Sequence, residues 1–77
     1  MDVPHLISMA NSIGDFFAAY PDRVEAADEV ARHIARFWEP RMRRAILAAL
    51  DTPAVETMQP LVAEALRAHR AELLPKT

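Results

Sequence analysis

The side chains that could do chemistry are concentrated in one arginine-rich stretch. Five arginines and one glutamate lie within residues 32–50, giving this stretch a net charge of +4, whereas residues 1–31 carry −5 and the whole chain carries −2. A guanidinium group binds carboxylates through two parallel hydrogen bonds and packs on aromatic rings. Arginine and tryptophan are also frequent energetic anchors at protein interfaces. The stretch therefore predicts a docking patch for another protein, formed by Arg32, Arg36, Phe37, Trp38, Arg41, Arg43 and Arg44.

Two other interpretations of the same arginines stay open. They could form a solvated helix face with ion pairs inside the chain. They could also contact phosphates, because Arg41, Arg43 and Arg44 lie at the start of a predicted helix. The protein would then be a free-standing helical nucleic-acid-binding or transcriptional module that uses residues 32–44. The overall charge of −2 and the lack of a polar recognition face oppose this alternative.

Residue types found in catalytic and metal sites do not combine into a site in this sequence. The three histidines, His5, His33 and His69, fall on three different predicted helices without the spacing of metal ligands. No carboxylate lies in an apolar setting suited to acid–base catalysis, and no glycine-rich phosphate loop is present. We therefore predict no catalytic, cofactor-binding or metal-binding residue and a chain that is not an enzyme on its own.

Size and composition predict one small domain over residues 1–77. Hydrophobic residues make up 52% of the chain, but many of them are alanines, which favour helix and bury little area. A core in a chain of this length seldom supplies more than about 3–5 kcal/mol, and the absence of cysteine excludes disulfide support. Completion of the fold against a partner is therefore favoured. Without a signal peptide or a membrane-spanning apolar run, a cytoplasmic location is expected.

Prolines at positions 4, 21, 40, 53, 60 and 75 divide the chain into segments with helical spacing of apolar residues. The predicted helices cover about residues 3–20, 23–38, 40–50 and 60–74, and they form an all-α, small irregular three- to four-helix bundle without strands. The sequence does not decide whether residues 52–59 form a helix or a loop. The apolar stripe of the second helix ends in either Phe37 or Trp38.

Gly14 lies in the middle of the first predicted helix, where glycine costs about 0.8–1 kcal/mol relative to alanine. Together with Ala10 and Ala18 it forms a flat strip, spaced by four residues, that lets another backbone approach closely. A tight crossing of two helices within this domain is the simpler explanation. Contact with a partner is the alternative, so Gly14 joins the candidate docking residues.

Residues 33–44, which contain the run Phe-Trp-Glu-Pro-Arg-Met-Arg, resemble the delta subunit of soluble NAD-dependent, molybdenum-containing formate dehydrogenases. Residues 9–17, the Pro-Asp-Arg turn at 21–23 and residues 60–70 fit the same pattern, so the resemblance covers nearly the whole chain. Residues 51–58 contribute nothing to it.

The resemblance implies a non-catalytic delta subunit that docks on the catalytic alpha subunit, beside beta and gamma subunits, and supports assembly, stability or molybdenum-cofactor maturation. The whole complex is expected to oxidise formate to carbon dioxide with NAD reduction. Its other subunits are expected to carry a molybdenum (or tungsten) bis-guanine-dinucleotide cofactor, iron–sulfur clusters, FMN and NAD. Nucleic acid and membrane are not expected partners. With the arginine pattern, this gives the hypothesis that residues 32–44 contact the alpha subunit, with Arg36, Trp38, Arg41 and Arg44 as anchors.

Overall fold

The computed structural model describes residues 2–76, and these residues form helices without any strand. The helices are α1 (Val3–Phe17), α2 (Arg23–Phe37), α3 (Pro40–Ala49), a 3₁₀-helix (Pro53–Thr57), α4 (Pro60–Ala68) and α5 (Arg70–Leu73). The predicted all-α fold is thus confirmed. Among the described residues, no helix is both long enough and apolar enough to cross a membrane.

Prolines and short polar side chains determine where the helices begin. First-turn prolines, whose missing N–H group has no helical partner to lose, are Pro4, Pro40, Pro53 and Pro60. The Asp2 carboxylate accepts a hydrogen bond from the N–H group of His5 at the start of α1. The Asp22 carboxylate accepts hydrogen bonds from the N–H groups of Val24 and Glu25 at the start of α2. These contacts satisfy helix N–H groups that have no intrahelical partner.

The helix bounds differ from the expected ones at two places. Helix α1 ends at Phe17 rather than near residue 20. Beyond it, the N–H group of Tyr20 donates to the carbonyl of Phe17 at 3.0 Å, and Pro21 disfavours helical geometry in Tyr20, the residue before it. The expected helix over residues 60–74 is divided into α4 and α5 at His69, which has φ −112° and ψ 21°. Residues 52–59, whose conformation the sequence did not decide, contain the short 3₁₀-helix between α3 and α4.

Helix α4 lies at the centre of the core, where it packs on α1, α2 and α5. Five of its nine residues are buried, namely Leu61, Val62, Ala63, Ala65 and Leu66. Helix α2 covers one side of α4 with Ala26, Ala27, Val30, Ala31 and Ile34. Because each large aliphatic side chain contributes about 1.5–3 kcal/mol when fully buried, this α2–α4 contact is a main source of stability.

Helix α1 is held against the start of α4 by an asparagine and a glycine. The Asn11 side chain donates a hydrogen bond from Nδ2 to the carbonyl of Thr57 at 3.0 Å, and its Oδ1 accepts one from the N–H group of Gln59 at 2.9 Å. Gly14 is buried at the crossing, and a Cβ atom there would lie 2.5 Å from Gln59 Oε1 and 2.9 Å from Val62 Cγ2. The two helices can therefore approach this closely only because residue 14 has no side chain.

Candidate docking surface

The residues that could hold a metal do not gather in the described part of the chain. Among residues 2–76, no group of three or more histidine, cysteine, aspartate or glutamate side chains is arranged to hold a metal ion. His5 is exposed on α1 and His33 is half-buried on α2. His69 is the histidine with carboxylate neighbours, and its contacts join three helices.

His69 lies at the break between α4 and α5, with a carboxylate on each side of its ring. Its Nε2 is 2.8 Å from Oδ1 of Asp28 on α2, and its Nδ1 is 3.0 Å from Oε2 of Glu72 on α5. These contacts raise the pKa of His69 above the ordinary value of 6.5: the hydrogen bond with Glu72 contributes most, burial opposes it, and Asp28 adds to the rise. When it is protonated, the imidazole can donate to both carboxylates and so ties α5 to α2.

A glutamine at position 69 should make stability less dependent on pH. The folded-state pKa is raised, so the stability that protonated His69 contributes is fully present below about pH 6.5 and is lost as pH rises through the folded pKa. Partly exposed ion pairs contribute about 0.2–1 kcal/mol. We therefore expect the free energy of unfolding of wild type to exceed that of His69→Gln by up to about 1 kcal/mol at pH 5.5. Thermal unfolding from pH 5.5 to 9 measures the difference, with His5→Gln as the control. A difference that stays constant across this range would contradict the prediction.

Aromatic side chains of α1, of the turn after it and of α2 form a row, called the aromatic row below: Phe16, Phe17, Tyr20, His33 and Phe37. Phe17, Tyr20 and His33 are half-buried. The ring centroids of Phe16 and Phe17 are 4.9 Å apart, and those of His33 and Phe37 are 4.7 Å apart. Phe16 is 71% exposed and Phe37 is 66% exposed. An apolar groove of about 330 Å³ lies between the two helices, lined by Ser12, Ile13, Phe16, Phe17 and His33.

The arginines of the predicted patch have different surroundings. Arg32 forms an ion pair with Glu29 on the same helix. The guanidinium carbon of Arg36 lies over the ring of Phe37, 5.8 Å from its centroid, which is within the range of a cation–π contact. Arg43 is half-buried, and its Nε atom is buried without a hydrogen-bond partner among the described residues.

Two further arginines, Arg41 and Arg44, are exposed on α3. They line a shallow groove together with Ala45 and Ala48. This groove involves α3 alone, whereas Arg36 belongs to α2 and contacts the aromatic row. The arginine stretch is thus shared between two helices on either side of the Glu39-Pro40 boundary.

Two residues of the predicted patch lie in the interior of the chain itself. Trp38 is 6% exposed and belongs to the core. Gly14 is buried by Gln59 and Val62, which corresponds to the crossing within the domain rather than to contact with a partner. Neither presents a surface to a partner in this conformation, so the exposed aromatic members of the surface are Phe16 and Phe37.

Helical spacing alone groups Phe16 with Leu6, Ala10 and Ile13 on one face of the first predicted helix. Phe16 and Phe17 are adjacent, and neighbouring positions on a helix point about 100° apart, so both rings cannot face the same interior. The structure buries Leu6, Ile7 and Ala10 on α1 and leaves Phe16 outside. The adjacent pair of large rings was the signal that could have indicated an exposed aromatic.

The comparison with protein families matches most of this chain. The model of the family described as the NADH-dependent formate dehydrogenase delta subunit FdsD matches residues 5–66 of the 77. The match begins within α1 and ends within α4, so it contains the aromatic row, Arg36 and the crossing at Gly14. No curated protein and no solved structure matches the chain.

Proposed function

The chain belongs to the family of NADH-dependent formate dehydrogenase delta subunits, and from this membership we propose that it is a non-catalytic subunit that docks on the catalytic alpha subunit. Within the complex it supports assembly, stability or maturation of the molybdenum cofactor. The reaction, oxidation of formate to carbon dioxide with NAD reduction, is carried out by the other subunits.

The observation that carries the docking proposal is the aromatic row with its arginine. Phe16 and Phe37 expose most of their ring surface, and large rings next to arginine are the side chains that most often anchor protein interfaces. Contiguous apolar surface on a small protein is a sign of an interaction site. Burying these two rings against a partner would cover apolar area that the chain's own core leaves exposed.

The redox groups of the complex are placed on the other subunits in this proposal. They comprise a molybdenum (or tungsten) bis-guanine-dinucleotide cofactor, iron–sulfur clusters, FMN and the NAD site on the alpha, beta and gamma subunits. The sequence has no cysteine, and iron–sulfur clusters are held chiefly by cysteine thiolates. This composition fits a subunit that contributes protein surface and no redox centre.

Expression of the dehydrogenase with and without this chain tests the proposal. Without it, we expect less assembled complex and lower formate-dependent NADH production. If the chain acts in cofactor maturation, molybdenum per catalytic subunit should fall in parallel; if it acts in assembly alone, yield should fall at constant metal content. Adding the gene for the chain back should restore the yield of complex, the NADH production or the molybdenum content, whichever had fallen. Unchanged yield, activity and molybdenum content without the chain would contradict the proposed function.

A further inference from the structure

We propose that the groove between α1 and α2 receives an amphipathic segment of the partner subunit, with large apolar side chains on the aromatic row and a carboxylate on Arg36. This inference rests on the proposed function and adds to it the chemistry of the segment that is bound. It assigns the contact to one face of the chain, formed by the C-terminal halves of the two helices.

The apolar part of the contact follows from the lining of the groove. Ile13 and Phe17 form the inner side, and Phe16 extends the apolar surface outward. A groove between two helices is the shape into which an amphipathic helix lays its apolar face, with anchors three or four residues apart. The volume of about 330 Å³ is at the lower end of the range found for binding clefts.

The charge of the bound segment follows from Arg36. Its guanidinium lies over the Phe37 ring, and within residues 2–76 it forms no ion pair. Two charged residues that are adjacent in sequence to groove-lining residues, Arg32 and Asp15, have partners within the chain. Arg32 pairs with Glu29, and the carboxylate of Asp15 accepts a hydrogen bond from the Gln59 side chain.

A free guanidinium at the edge of an apolar surface is complementary to a carboxylate that is flanked by apolar residues. Such a carboxylate would form charge-assisted hydrogen bonds while Phe37 holds the guanidinium plane from the other side. A segment that brings a lysine or arginine to the same place would be repelled.

A second copy of this chain fits the same face poorly. In a two-fold symmetric dimer, the same patch of both copies meets across the axis. Contact through this groove would therefore bring two unpaired Arg36 side chains into one interface, and like charges in such a setting oppose association. The unpaired charge of Arg36 therefore favours binding of a different protein over binding of a second copy of this chain.

Binding of the full chain to dehydrogenase complex purified without it tests the inference. Phe37→Ser and Arg36→Gln should each weaken binding about 10-fold or more, as expected for an aromatic or arginine anchor. Two matched controls should stay within about twofold, since surface positions outside an interface contribute little. Val24→Ser removes another apolar side chain of α2 that is also 66% exposed, and Arg67→Gln removes an exposed arginine of α4. Circular dichroism verifies that all four variants are folded.

Crosslinking identifies the chemistry of the bound segment. With p-benzoylphenylalanine at position 37, the crosslinked peptide should come from the partner subunit and contain an acidic residue next to large apolar residues. The same group at position 24 should give little crosslinking. The wild-type affinity should also fall with rising salt, and the fall should be smaller for Arg36→Gln.

The outcomes separate the inference from the function on which it rests. If wild type binds the dehydrogenase but Phe37→Ser and Arg36→Gln bind equally well, this inference is overturned and the docking function stands. If wild type does not bind, both are overturned. Crosslinking to a second copy, with a dimer that Phe37→Ser dissociates, would assign the groove to self-association and overturn the inference.

Discussion

Replacing Trp38 with alanine is expected to remove a large part of the stability of the isolated chain. The indole is 6% exposed within the core, and truncation of a buried tryptophan costs about 3–5 kcal/mol. Small domains have only about 0.05–0.15 kcal/mol of stability per residue, or about 4–12 kcal/mol for 77 residues, so the loss is a large part of the total. At about 4–8 °C per kcal/mol for a domain of this size, the midpoint of thermal unfolding should fall by at least about 12 °C.

The neighbouring Phe37→Ala is the matched control for this change. Phe37 is 66% exposed, so its truncation should alter the free energy of unfolding by less than about 0.5 kcal/mol. Urea unfolding followed by circular dichroism compares the two variants. Equal losses for Trp38→Ala and Phe37→Ala would contradict the assignment of one ring to the core and the other to the surface. Because Trp38 belongs to the core, weaker docking of the Trp38→Ala variant would be a result of unfolding. It would not show that Trp38 contacts the partner.

The second large effect is expected at Gly14, where leucine should destabilise the chain by about 2–3 kcal/mol. A Cβ atom at this position already lies 2.9 Å from Val62 Cγ2 and 2.5 Å from Gln59 Oε1. The end of the glutamine side chain can turn away, but the Val62 methyl belongs to a fully buried residue of α4. Leucine is the better helix former by close to 1 kcal/mol, so any net loss of stability is a lower limit on the cost of separating the two helices.

An exposed position in the last turn of α2 provides the control. Ala35→Leu adds a leucine where it reaches solvent and should change the free energy of unfolding by less than about 0.5 kcal/mol. A double-mutant cycle adds a sharper measurement. Val62→Ala should cost clearly less in the Gly14→Leu background than in wild type, because the smaller side chain leaves room for the leucine. A Gly14→Leu variant as stable as wild type would show that α1 and α4 do not cross as closely as described.

Helix starts were the most predictable part of the fold, because their causes are local. Pro40 and Pro60 lie in the first turns of α3 and α4, and Asp22 caps α2 through its own side chain. A proline in a first turn and a carboxylate before a helix act within a few residues. The same is true of the end of α2, where the residue before Pro40 must leave the helical region.

The division between α4 and α5 was not predictable from spacing. Residues 60–74 carry an apolar stripe, and no proline or glycine interrupts it before Pro75. The break occurs at His69, whose ring contacts Asp28 on another helix, 41 residues earlier. A long-range contact of this kind leaves no mark in the local pattern, so the sequence predicted one helix where the structure has two.

The candidate surface was predicted in part. Arg36 and Phe37 lie where the arginine-rich stretch placed them, next to each other and exposed. The sequence could not decide whether Phe37 or Trp38 is the buried ring at the end of the second helix, because helical spacing fits either residue. The choice is decided by the end of α2: Trp38 has extended backbone angles, φ −94° and ψ 135°, and its ring lies in the core. The contribution of Phe16 could not be predicted, since it depends on how α1 is rotated against α4.

The Asn11 contacts also have a consequence for the order in which the chain folds. Asn11 bonds to backbone groups 46 and 48 residues later, and such long closures are made late because the chain loses much entropy before the contact forms. During synthesis, the part of α1 that faces α4 stays uncovered until the start of α4 has been made, whereas α2, which also packs on α1, is made earlier. The contact between α1 and α4 is therefore expected to form after the contact between α1 and α2, whose residues are closer along the chain.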